Sequence, residues 1–432
     1  MITAMAAAML LSAVLLPAMR CAAADFRLTP CTAAVRTGGD SPVQTVNAIQ
    51  CEYKNNDYIS VADMAAVLKD TEKAFTFGQY NGYWYIITGQ PCSWEISSPL
   101  YFDYTGSESE QCIYVDGTLK IYSGIALGSG LYLPLTALEM ILDISADYSD
   151  GVYTLNTDVP FSADPEKLEN EGYFDRFNGV LLGNADTGEI YYSFKQDNAV
   201  PIASTSKLLT TWIVCSAISS GTISLDDRIT ISKDIEEASK ANYAVLGFRE
   251  GAQISVSDLL KAMLIESSNE AAKVLAETLS GSEDGFAGMM TAAARSMFMF
   301  DTRCYNSNGS PSFLADGITV ERENISTAGD IFILASRLVT DYPWITEITS
   351  QKTEYLETIG AQVNNTNCLL YNTEGTTGLK TGTTWNAGYC LTVSREVEID
   401  GETNTVIAIV LGADNESDRS EAAELLLRSG LY

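Results

Sequence analysis

The chain has 432 residues, of which 46% are hydrophobic and 19% are charged, and this composition is typical of a globular protein with more than one domain. Its 56 acidic residues outnumber the 26 basic ones, giving a formal net charge of −30. Because such a surface repels nucleic acid and anionic membranes, the sequence predicts no nucleic-acid partner.

An apolar run covers residues 4–19 and is followed by Ala-Ala-Ala-Asp at residues 22–25. A run of this length before an Ala-x-Ala site is typical of a secretory signal peptide, and it is too short for a membrane span. We therefore predict that residues 1–24 are a signal peptide cleaved after Ala24. The protein is then expected in the cell envelope or outside the cell.

The cysteines agree with export. Cys31, Cys51, Cys92 and Cys112 form an even set in the N-terminal third, which predicts two disulfides of undetermined pairing. The chain has no histidine and no Cys-x-x-Cys pair, so the sequence predicts no metal site and no cofactor.

Residues 26–158 are rich in Tyr, Gly and Asn and contain a weak internal echo. Residues 55–68, "NNDYISVADMAAVL", and residues 128–142, "GSGLYLPLTALEMIL", each predict a turn, a short strand and an amphipathic helix. An aromatic strand pair follows each. The segment is predicted to be a small α+β domain, and it resembles the copper-amine-oxidase N-terminal-like accessory domain, which implies a stalk or wall-binding module without a metal. Residues 159–175, with two prolines and a charge cluster, are predicted to be a linker.

Residues 176–432 are predicted to form a second domain. Strands at both ends with helices between them indicate an α/β domain with a mainly antiparallel sheet. The predicted elements are two strands over 179–194, a helix over 206–221, two helices over 255–281 broken at 267–269, a hairpin over 387–413 turning at Asp400-Gly401, and a helix over 416–430.

The segment Ser204-Thr205-Ser206-Lys207 lies at the start of the first helix of this domain. Ser204 and Lys207, three residues apart, share one helix face, where the first-turn N–H groups also point. A desolvated lysine loses its proton readily, so the pair can work as nucleophile and base without a histidine. Taken alone, the motif favours an ordinary helix N-cap over a catalytic pair.

Two further segments change that interpretation. Ser267-Ser268-Asn269 lies at the break between two helices, and Lys380-Thr381-Gly382 begins the final strand pair. The order Ser-x-x-Lys, Ser-x-Asn, Lys-Thr-Gly, at spacings of about 60 and about 110 residues, is the signature of the penicillin-binding and β-lactamase group.

Flanking segments narrow this resemblance. Residues 176–432 contain "CYNSNGSP" at 304–311, "STAGDIFILASRLV" at 326–339 and "AGYCLTVS" at 387–394, and the region resembles D-alanyl-D-alanine carboxypeptidases of the low-molecular-weight penicillin-binding type. The resemblance implies the penicillin-binding/β-lactamase-like transpeptidase fold, an antiparallel sheet flanked by helices plus a helical subdomain. It also implies removal of the terminal D-Ala from peptidoglycan stem peptides ending in D-Ala-D-Ala, with β-lactams as covalent inhibitors.

The resemblance implies a role for each matching residue of the reaction centre. Ser204 would be the acylated nucleophile, and Lys207 would be its general base. Ser267 would relay a proton to the leaving amine, and Asn269 would bind the substrate's amide. The backbone N–H groups of Ser204 and Thr383 would form the oxyanion hole.

The strand beginning at Lys380 is implied to bind substrate. Lys380 would hold positive potential over the site and help keep the base neutral. Thr381 and the strand edge 382–384 would bind the substrate backbone and its terminal carboxylate, and Gly382 would allow the two backbones to approach closely. Arg419 would bind that carboxylate with its guanidinium fork, or else would be a solvated helix residue.

The sequence departs from the family pattern at three points. Ser206 stands where threonine is more frequent, and Thr383 stands where many members have an aromatic residue or histidine. The β-rich domain and amphipathic anchor that many relatives carry after the closing helix are not found, so no stable membrane anchor of that kind is expected.

Two alternative functions stay open at this point. A class A-like β-lactamase needs a deacylating glutamate about 35 residues beyond Ser-x-Asn, and residues 297–311 contain none. A non-catalytic wall-binding protein with a vestigial site is the other alternative, which the complete motif set disfavours.

Overall fold

The structure is a computed structural model. It describes residues 26–39, 41–51, 57–80, 82–93, 95–97, 104–106, 109–239, 246–313 and 319–432. The predicted signal peptide, residues 1–24, lies outside these ranges. The chain divides into two compact units, Met1–Ser162 and Ala163–Tyr432.

The first unit contains a long, mostly antiparallel sheet with two helices. Its strands are β1 (Phe26–Thr37), β2 (Gln44–Cys51), β3 (Asp57–Ser60), β4 (Phe75–Tyr80), β5 (Tyr83–Thr88), β6 (Tyr104–Gly106), β7 (Ser109–Val115), β8 (Thr118–Leu127), β9 (Gly130–Pro134), β10 (Ser145–Ser149) and β11 (Val152–Asn156). Its helices are α1 (Val61–Leu68) and α2 (Leu135–Leu142). The strand order is β10-β11-β1-β2-β3-β9-β8-β7-β5-β4, with β6 beside β1.

The internal echo in the sequence corresponds to two strand–helix units, β3–α1 and β9–α2. Strands β3 and β9 pair antiparallel, with Ile59 opposite Leu133. Both helices pack apolar residues, including Met64 and Leu138, into one buried cluster. The resemblance of this unit to the copper-amine-oxidase-like module stays a prediction.

The prediction of two disulfides in the first unit is wrong. Cys31 and Cys112 are free thiols, so the four cysteines do not form two pairs. Strands β2, β3, β9 and β8 separate Cys31 on β1 from Cys112 on β7, whereas a disulfide needs α-carbons within about 7 Å. Burial also raises the pKa of the Cys31 thiol to about 11, which suppresses the reactive thiolate.

The structure differs from the predicted linker after Ser162. Residues 163–175 belong to the second unit, with helix α3 (Pro165–Asn170) followed by a 3-10 turn at Tyr173–Arg176. Phe174 is fully buried, with its ring 5.4 Å from that of Tyr192. The prolines and charges that indicate a linker therefore surround an aromatic anchor, which the composition does not reveal.

The second unit combines a central antiparallel sheet with a group of helices. Its further helices are α4 (Lys207–Ser219), α5 (Lys233–Ser239), α6 (Val256–Ile265), α7 (Asn269–Ser280), α8 (Glu283–Ser296), α9 (Ala328–Asp341), α10 (Ile345–Thr349), α11 (Leu369–Asn372) and α12 (Glu416–Leu427). Its strands are β12 (Gly179–Asn184), β13 (Ile190–Phe194), β14 (Val200–Pro201), β15 (Arg228–Thr230), β16 (Gln253–Ser255), β17 (Ser312–Phe313), β18 (Val320–Arg322), β19 (Ile325–Ser326), β20 (Thr353–Leu356), β21 (Ala361–Asn364), β22 (Thr376–Thr384), β23 (Gly388–Ile399) and β24 (Glu402–Ala413). In the part of the chain that the structure describes, no helix is both long and apolar enough to cross a membrane.

The central sheet has the strand order β13-β12-β24-β23-β22, and both of its faces are covered. Because successive strand residues point to opposite faces, β24 supplies two apolar sets. Ile407, Ile409 and Leu411 enter the core shared with the helices α4, α6 and α9. Val406 and Val410 enter the core beneath α12. This double burial explains why residues 406–411 of β24 are all apolar in the sequence.

Local sequence signals position the last two strands. Asp400 and Gly401 have φ of 52° and 83°, the positive values that a two-residue turn matching the twist of a hairpin requires. They join β23 to β24 as predicted. Strand β22 pairs with β23 and forms the sheet edge that approaches the helices.

Candidate active site

The turn before α4 carries Ser204. Ala203 has φ of 48°, in the left-handed region, and begins a 3-10 turn that runs to Ser206. The Thr205 hydroxyl donates to the carbonyl of Ile202, and the Ser206 hydroxyl donates to that of Ala203 at 2.7 Å. Both neighbouring hydroxyls are thus bound to the local backbone, whereas Ser204 is half-buried and bonds to Lys207.

Lys207 is fully buried beside Ser204. Its Nζ lies 2.8 Å from Ser204 Oγ, 2.8 Å from Asn269 Oδ1 and 2.9 Å from the Asn308 carbonyl oxygen. The amide and carbonyl oxygens can only accept hydrogen bonds, whereas the hydroxyl can also donate. A neutral amine has two N–H donors and one lone pair. In the neutral state the two N–H groups would satisfy Asn269 and Asn308, which would leave the lone pair for a proton donated by the Ser204 hydroxyl.

The electrostatic surroundings favour this neutral amine. Burial and the nearby Lys380 ammonium hold the pKa of Lys207 well below its usual range, with Glu283 acting in the opposite direction. Removing a charge from water and placing a like charge beside it both disfavour the protonated form. Lys207 is therefore poised to accept a proton from Ser204 near neutral pH.

The Asn308 carbonyl is held in place by a loop that sequence reasoning did not assign to the site. The carboxylate of Glu283, at the start of α8, accepts hydrogen bonds from Ser307 N at 2.9 Å and Ser307 Oγ at 2.7 Å. Thr210 Oγ1 donates to the Ser307 carbonyl at 2.6 Å. The segment "CYNSNGSP" contains Ser307 and Asn308 and could have indicated the loop, but Glu283 has no local sequence signal.

Gly309 brings this loop against the Ser204 turn, which is the 3-10 turn Ala203–Ser206. Its φ is +81°, and a Cβ at this position would lie 1.9 Å from the carbonyl oxygen of Ala203. Only glycine allows so close a backbone approach, so the loop and the Ser204 turn form one packed unit.

The break between α6 and α7 contains the second motif. Ser267 has φ of 64°, and Ser268 caps α7 by accepting a hydrogen bond from Ala271 N at 3.2 Å. Ser268, and not Asn269, is the cap, and Asn269 Oδ1 accepts a hydrogen bond from Lys207 Nζ. Ser267 is half-buried two residues away, and its role as a proton relay stays a prediction.

Strand β22 approaches Ser204 from the other side. A Cβ on Gly382 would lie 2.9 Å from both Ser204 N and Thr205 N, and 3.0 Å from the Ile202 carbonyl oxygen. The sheet edge therefore lies directly against the first N–H groups of the Ser204 turn. Thr383, the next residue of the strand, is exposed.

Lys380 and Thr381 lie at the buried part of this edge. Lys380 is almost completely buried, and its Nζ donates to the Thr381 carbonyl at 3.0 Å. Burial and the Arg419 guanidinium lower the pKa of Lys380 to about 7, with Glu266 opposing them. Thr381 Oγ1 shares a 2.6 Å hydrogen bond with Thr366 Oγ1.

Arg419 lies on α12 and is only 2% exposed, so the alternative of a solvated helix residue is wrong. Its Nη2 donates to Glu416 Oε1 at 2.6 Å, and its guanidinium carbon lies 6.0 Å from the centre of the Tyr389 ring. Its charge reaches Lys380, as the lowered pKa of that lysine indicates. Direct contact between Arg419 and a substrate carboxylate stays a prediction.

The site is therefore built from a serine, a neutral lysine and a positively charged strand edge. In the described ranges, no cluster of three or more Cys, Asp or Glu side chains is arranged to hold a metal ion. The arrangement has the parts needed for acyl transfer: a nucleophile with an adjacent base, backbone donors and an open sheet edge.

Replacement of Gly382 by alanine is expected to lower the rate of Ser204 acylation about 100-fold. The new methyl group would lie under 3.0 Å from two backbone nitrogens of the Ser204 turn, so strand or turn must shift. A displacement of about 1 Å costs roughly that factor. Reaction with a fluorescent penicillin measures the rate. Gly288→Ala is the control, because a Cβ there meets no atom within 4 Å, and a normal rate for Gly382→Ala would contradict the expectation.

Comparisons with known proteins identify the family of the second unit. The sequence profile of the D-alanyl-D-alanine carboxypeptidases, peptidase family S11, matches residues 178–415. D-alanyl-D-alanine carboxypeptidase DacD of Escherichia coli is 30% identical over 63% of this chain and 66% of its own length. DacF of Bacillus subtilis is 29% identical over 62% of this chain and 65% of its own length. The matches thus span just under two thirds of these relatives.

Solved structures show the same fold. PBP3 of Streptococcus pneumoniae, described as a peptidoglycan synthesis regulatory factor, aligns with a TM-score of 0.53 at 31% identity over 58% of this chain and 70% of its own. Penicillin-binding protein D2 of Listeria monocytogenes in its ampicillin-bound form aligns with a TM-score of 0.50 at 31% identity over 60% of this chain and 98% of its own. The predicted penicillin-binding fold is confirmed, and the chain belongs to the D-alanyl-D-alanine carboxypeptidase family, peptidase family S11.

Proposed function

We propose that this protein is an exported serine-type D-Ala-D-Ala carboxypeptidase that removes the terminal D-Ala from peptidoglycan stem peptides. The observation that carries the proposal is the contact between Lys207 Nζ and Ser204 Oγ at 2.8 Å, with the other two neighbours of that nitrogen being pure acceptors. The names of the relatives support the substrate. The predicted signal peptide supports export.

Acylation starts with attack of Ser204 Oγ on the carbonyl carbon of the penultimate D-Ala, while its proton moves to Lys207 Nζ. The carbonyl oxygen becomes an oxyanion that accepts hydrogen bonds from the N–H groups of Ser204 and Thr383. The C–N bond then breaks, and the nitrogen of the terminal D-Ala takes up a proton from Lys207 through Ser267. A serine ester of the shortened peptide remains.

Deacylation repeats these steps with water. Lys207, neutral again, accepts a proton from a water molecule whose oxygen attacks the ester carbonyl. The bond to Ser204 Oγ breaks, the proton returns to that oxygen, and the shortened peptide leaves as a carboxylic acid.

The open edge of β22 supports binding of the peptide as an added strand. Such pairing uses main-chain hydrogen bonds, and the close approach at Gly382 aligns the edge with the Ser204 turn. Lys380 and Thr381 would hold the terminal carboxylate of the substrate. Arg419 adds positive charge behind Lys380, so the buried end of this edge favours an anion.

The same chemistry leads us to propose that β-lactams acylate Ser204. A β-lactam has a strained acyl bond and a carboxylate, which match the nucleophile and the cationic strand edge. The ampicillin-bound structure of the similar Listeria protein supports this step.

Mass spectrometry after penicillin treatment, combined with a D-Ala release assay on a D-Ala-D-Ala pentapeptide, tests the proposal. We expect a penicillin adduct on the peptide containing Ser204, release of D-Ala, and loss of both in Ser204→Ala. Ser219→Ala, at the exposed end of α4, is the matched serine control and keeps both.

Three outcomes would overturn the proposal. An absent adduct with no D-Ala release would indicate a wall-binding protein with a vestigial site. A full adduct in Ser204→Ala would place the nucleophile elsewhere. Rapid, repeated turnover of a chromogenic cephalosporin would indicate a β-lactamase.

A further inference from the structure

The turn between β22 and β23 carries a tryptophan that the proposed reaction does not use. Trp385 directly follows the substrate-binding strand, and its side chain is 98% exposed. Tryptophan is largely buried in most folded proteins, and exposed tryptophans are enriched where proteins contact ligands and partners. With this exposure, packing against the described residues of the second unit does not hold the indole in place.

The residues on both sides of Trp385 are fixed by hydrogen bonds. Glu323, just before β19, accepts from Thr384 Oγ1 at 3.2 Å and from Asn386 Nδ2 at 3.0 Å. Thr384 Oγ1 also accepts from Ala387 N at 3.0 Å, and Ala387 itself is buried. The indole therefore projects from a pre-organised turn, which lowers the entropic cost of contact with a ligand.

The direction of the strand specifies which part of a substrate would reach this turn. In the proposed function, Lys380 and Thr381 hold the terminal carboxylate, and Thr383 N–H meets the carbonyl that is attacked. A strand advances about 3.3 Å per residue, so the substrate residue before the scissile D-Ala lies about one residue further along the strand edge. That position is at Thr384 and Trp385. The leaving D-Ala points the opposite way, toward Lys380.

We propose that Trp385 forms a subsite for the stem-peptide residue that precedes the D-Ala-D-Ala pair, packing its indole against the aliphatic part of that side chain. The inference rests on the proposed function and deepens it by naming a residue that selects the substrate. An aliphatic chain of several methylenes is a suitable partner for an indole face, because both are apolar and the contact removes them from water.

Two peptides test this subsite. N-acetyl-D-Ala-D-Ala lacks the preceding residue, whereas diacetyl-L-Lys-D-Ala-D-Ala has it with a four-carbon side chain. For Trp385→Ala we expect kcat/KM to fall about tenfold on the longer peptide and to change less than twofold on the shorter one. Trp385→Phe should retain most of the activity on the longer peptide. The rate of penicillin acylation should be unchanged in both variants.

Phe300→Ala is the control variant, because Phe300 is also an exposed aromatic residue, 68% accessible, but belongs to a different segment of the chain. It should leave kcat/KM on both peptides unchanged. Thermal unfolding of each variant reports whether the fold is intact.

Equal losses on both peptides, or an unchanged kcat/KM of Trp385→Ala on the longer one, would overturn the subsite. These outcomes are separate from failure of the proposed function, in which the wild-type protein releases D-Ala from neither peptide and the subsite falls as well. A wild-type protein that is active on both peptides, with a selective loss in Trp385→Ala, supports both inferences.

Discussion

Replacement of Lys207 by methionine is expected to lower the rate of Ser204 acylation by penicillin about 10³-fold. Methionine has nearly the length of lysine but no basic nitrogen, so the Ser204 hydroxyl loses the lone pair 2.8 Å away that would accept its proton. General-base catalysis contributes about 10²–10⁴-fold in enzymes, and in the described structure no other basic side chain bonds to Ser204 Oγ. Because the base itself is removed, raising the pH should not restore the rate.

The effect of Lys207→Met on stability must be measured beside this loss. Asn269 Oδ1 and the Asn308 carbonyl each lose the lysine donor, and loss of a hydrogen bond lowers stability by about 1 kcal/mol. Removal of the buried amine raises stability, because the cost of desolvating that polar group is no longer incurred. Thermal unfolding separates a folded, inactive protein from an unfolded one. Lys273→Met, which removes a half-buried lysine paired with Glu277, is the control, and a Lys207→Met rate within tenfold of wild type would exclude Lys207 as the base.

Replacement of Lys380 by alanine is expected to lower acylation at pH 7 about 100-fold and to change its pH dependence. The positive charge at Lys380 lowers the pKa of Lys207, so its removal raises that pKa. The base must be neutral to react, and the rising limb of rate against pH therefore moves to higher pH. Loss of the charge also weakens attraction of the substrate carboxylate, which lowers the rate where Lys380 is protonated, below its pKa of about 7.

Stopped-flow acylation of Lys380→Ala between pH 5 and 10 measures both changes. Lys207 and Lys380 titrate as a coupled pair. The rising limb of the pH–rate profile therefore gives an apparent pKa of the pair in the wild-type protein and the pKa of Lys207 alone in the variant. A variant whose fold is merely loosened would lose rate without a shift of the limb. A limb that stays in place, or moves to lower pH, would contradict the electrostatic role, and Lys273→Ala should leave the profile unchanged.

Much of the second unit could be predicted from local patterns in the sequence. Asp400-Gly401 specifies its hairpin because both residues adopt positive φ at low cost, and Ser268 and Gly281 mark a helix start and a helix end. In contrast, the even number of N-terminal cysteines predicts disulfides, but whether two of these cysteines lie close enough to bond depends on strand order. That order, with four strands between Cys31 and Cys112, is a property of the whole sheet.

The site was predictable in part. Ser204, Lys207, Asn269, Lys380 and Gly382 belong to short motifs, and the structure places Lys207 against Ser204 and Asn269, and Gly382 against the Ser204 turn. The remaining supports were not predictable. Asn308 acts through its backbone carbonyl, which every residue has. Glu283 acts indirectly, because it binds Ser307, and the next residue, Asn308, contacts Lys207.

From the sequence, motif order predicts Ser204 as the nucleophile and the absence of histidine leaves lysine as its base, and the family that these motifs indicate is confirmed. Whether Lys207 can act as a base depends on its surroundings in the folded protein. An exposed lysine is protonated at neutral pH. The pKa of Lys207 is lowered because α7 and the Asn308 loop bury it and Lys380 repels its charge, which outweighs the opposing effect of Glu283. The burial of Lys207 and the charges around it come from elements that are distant in the chain, so no short motif predicts them.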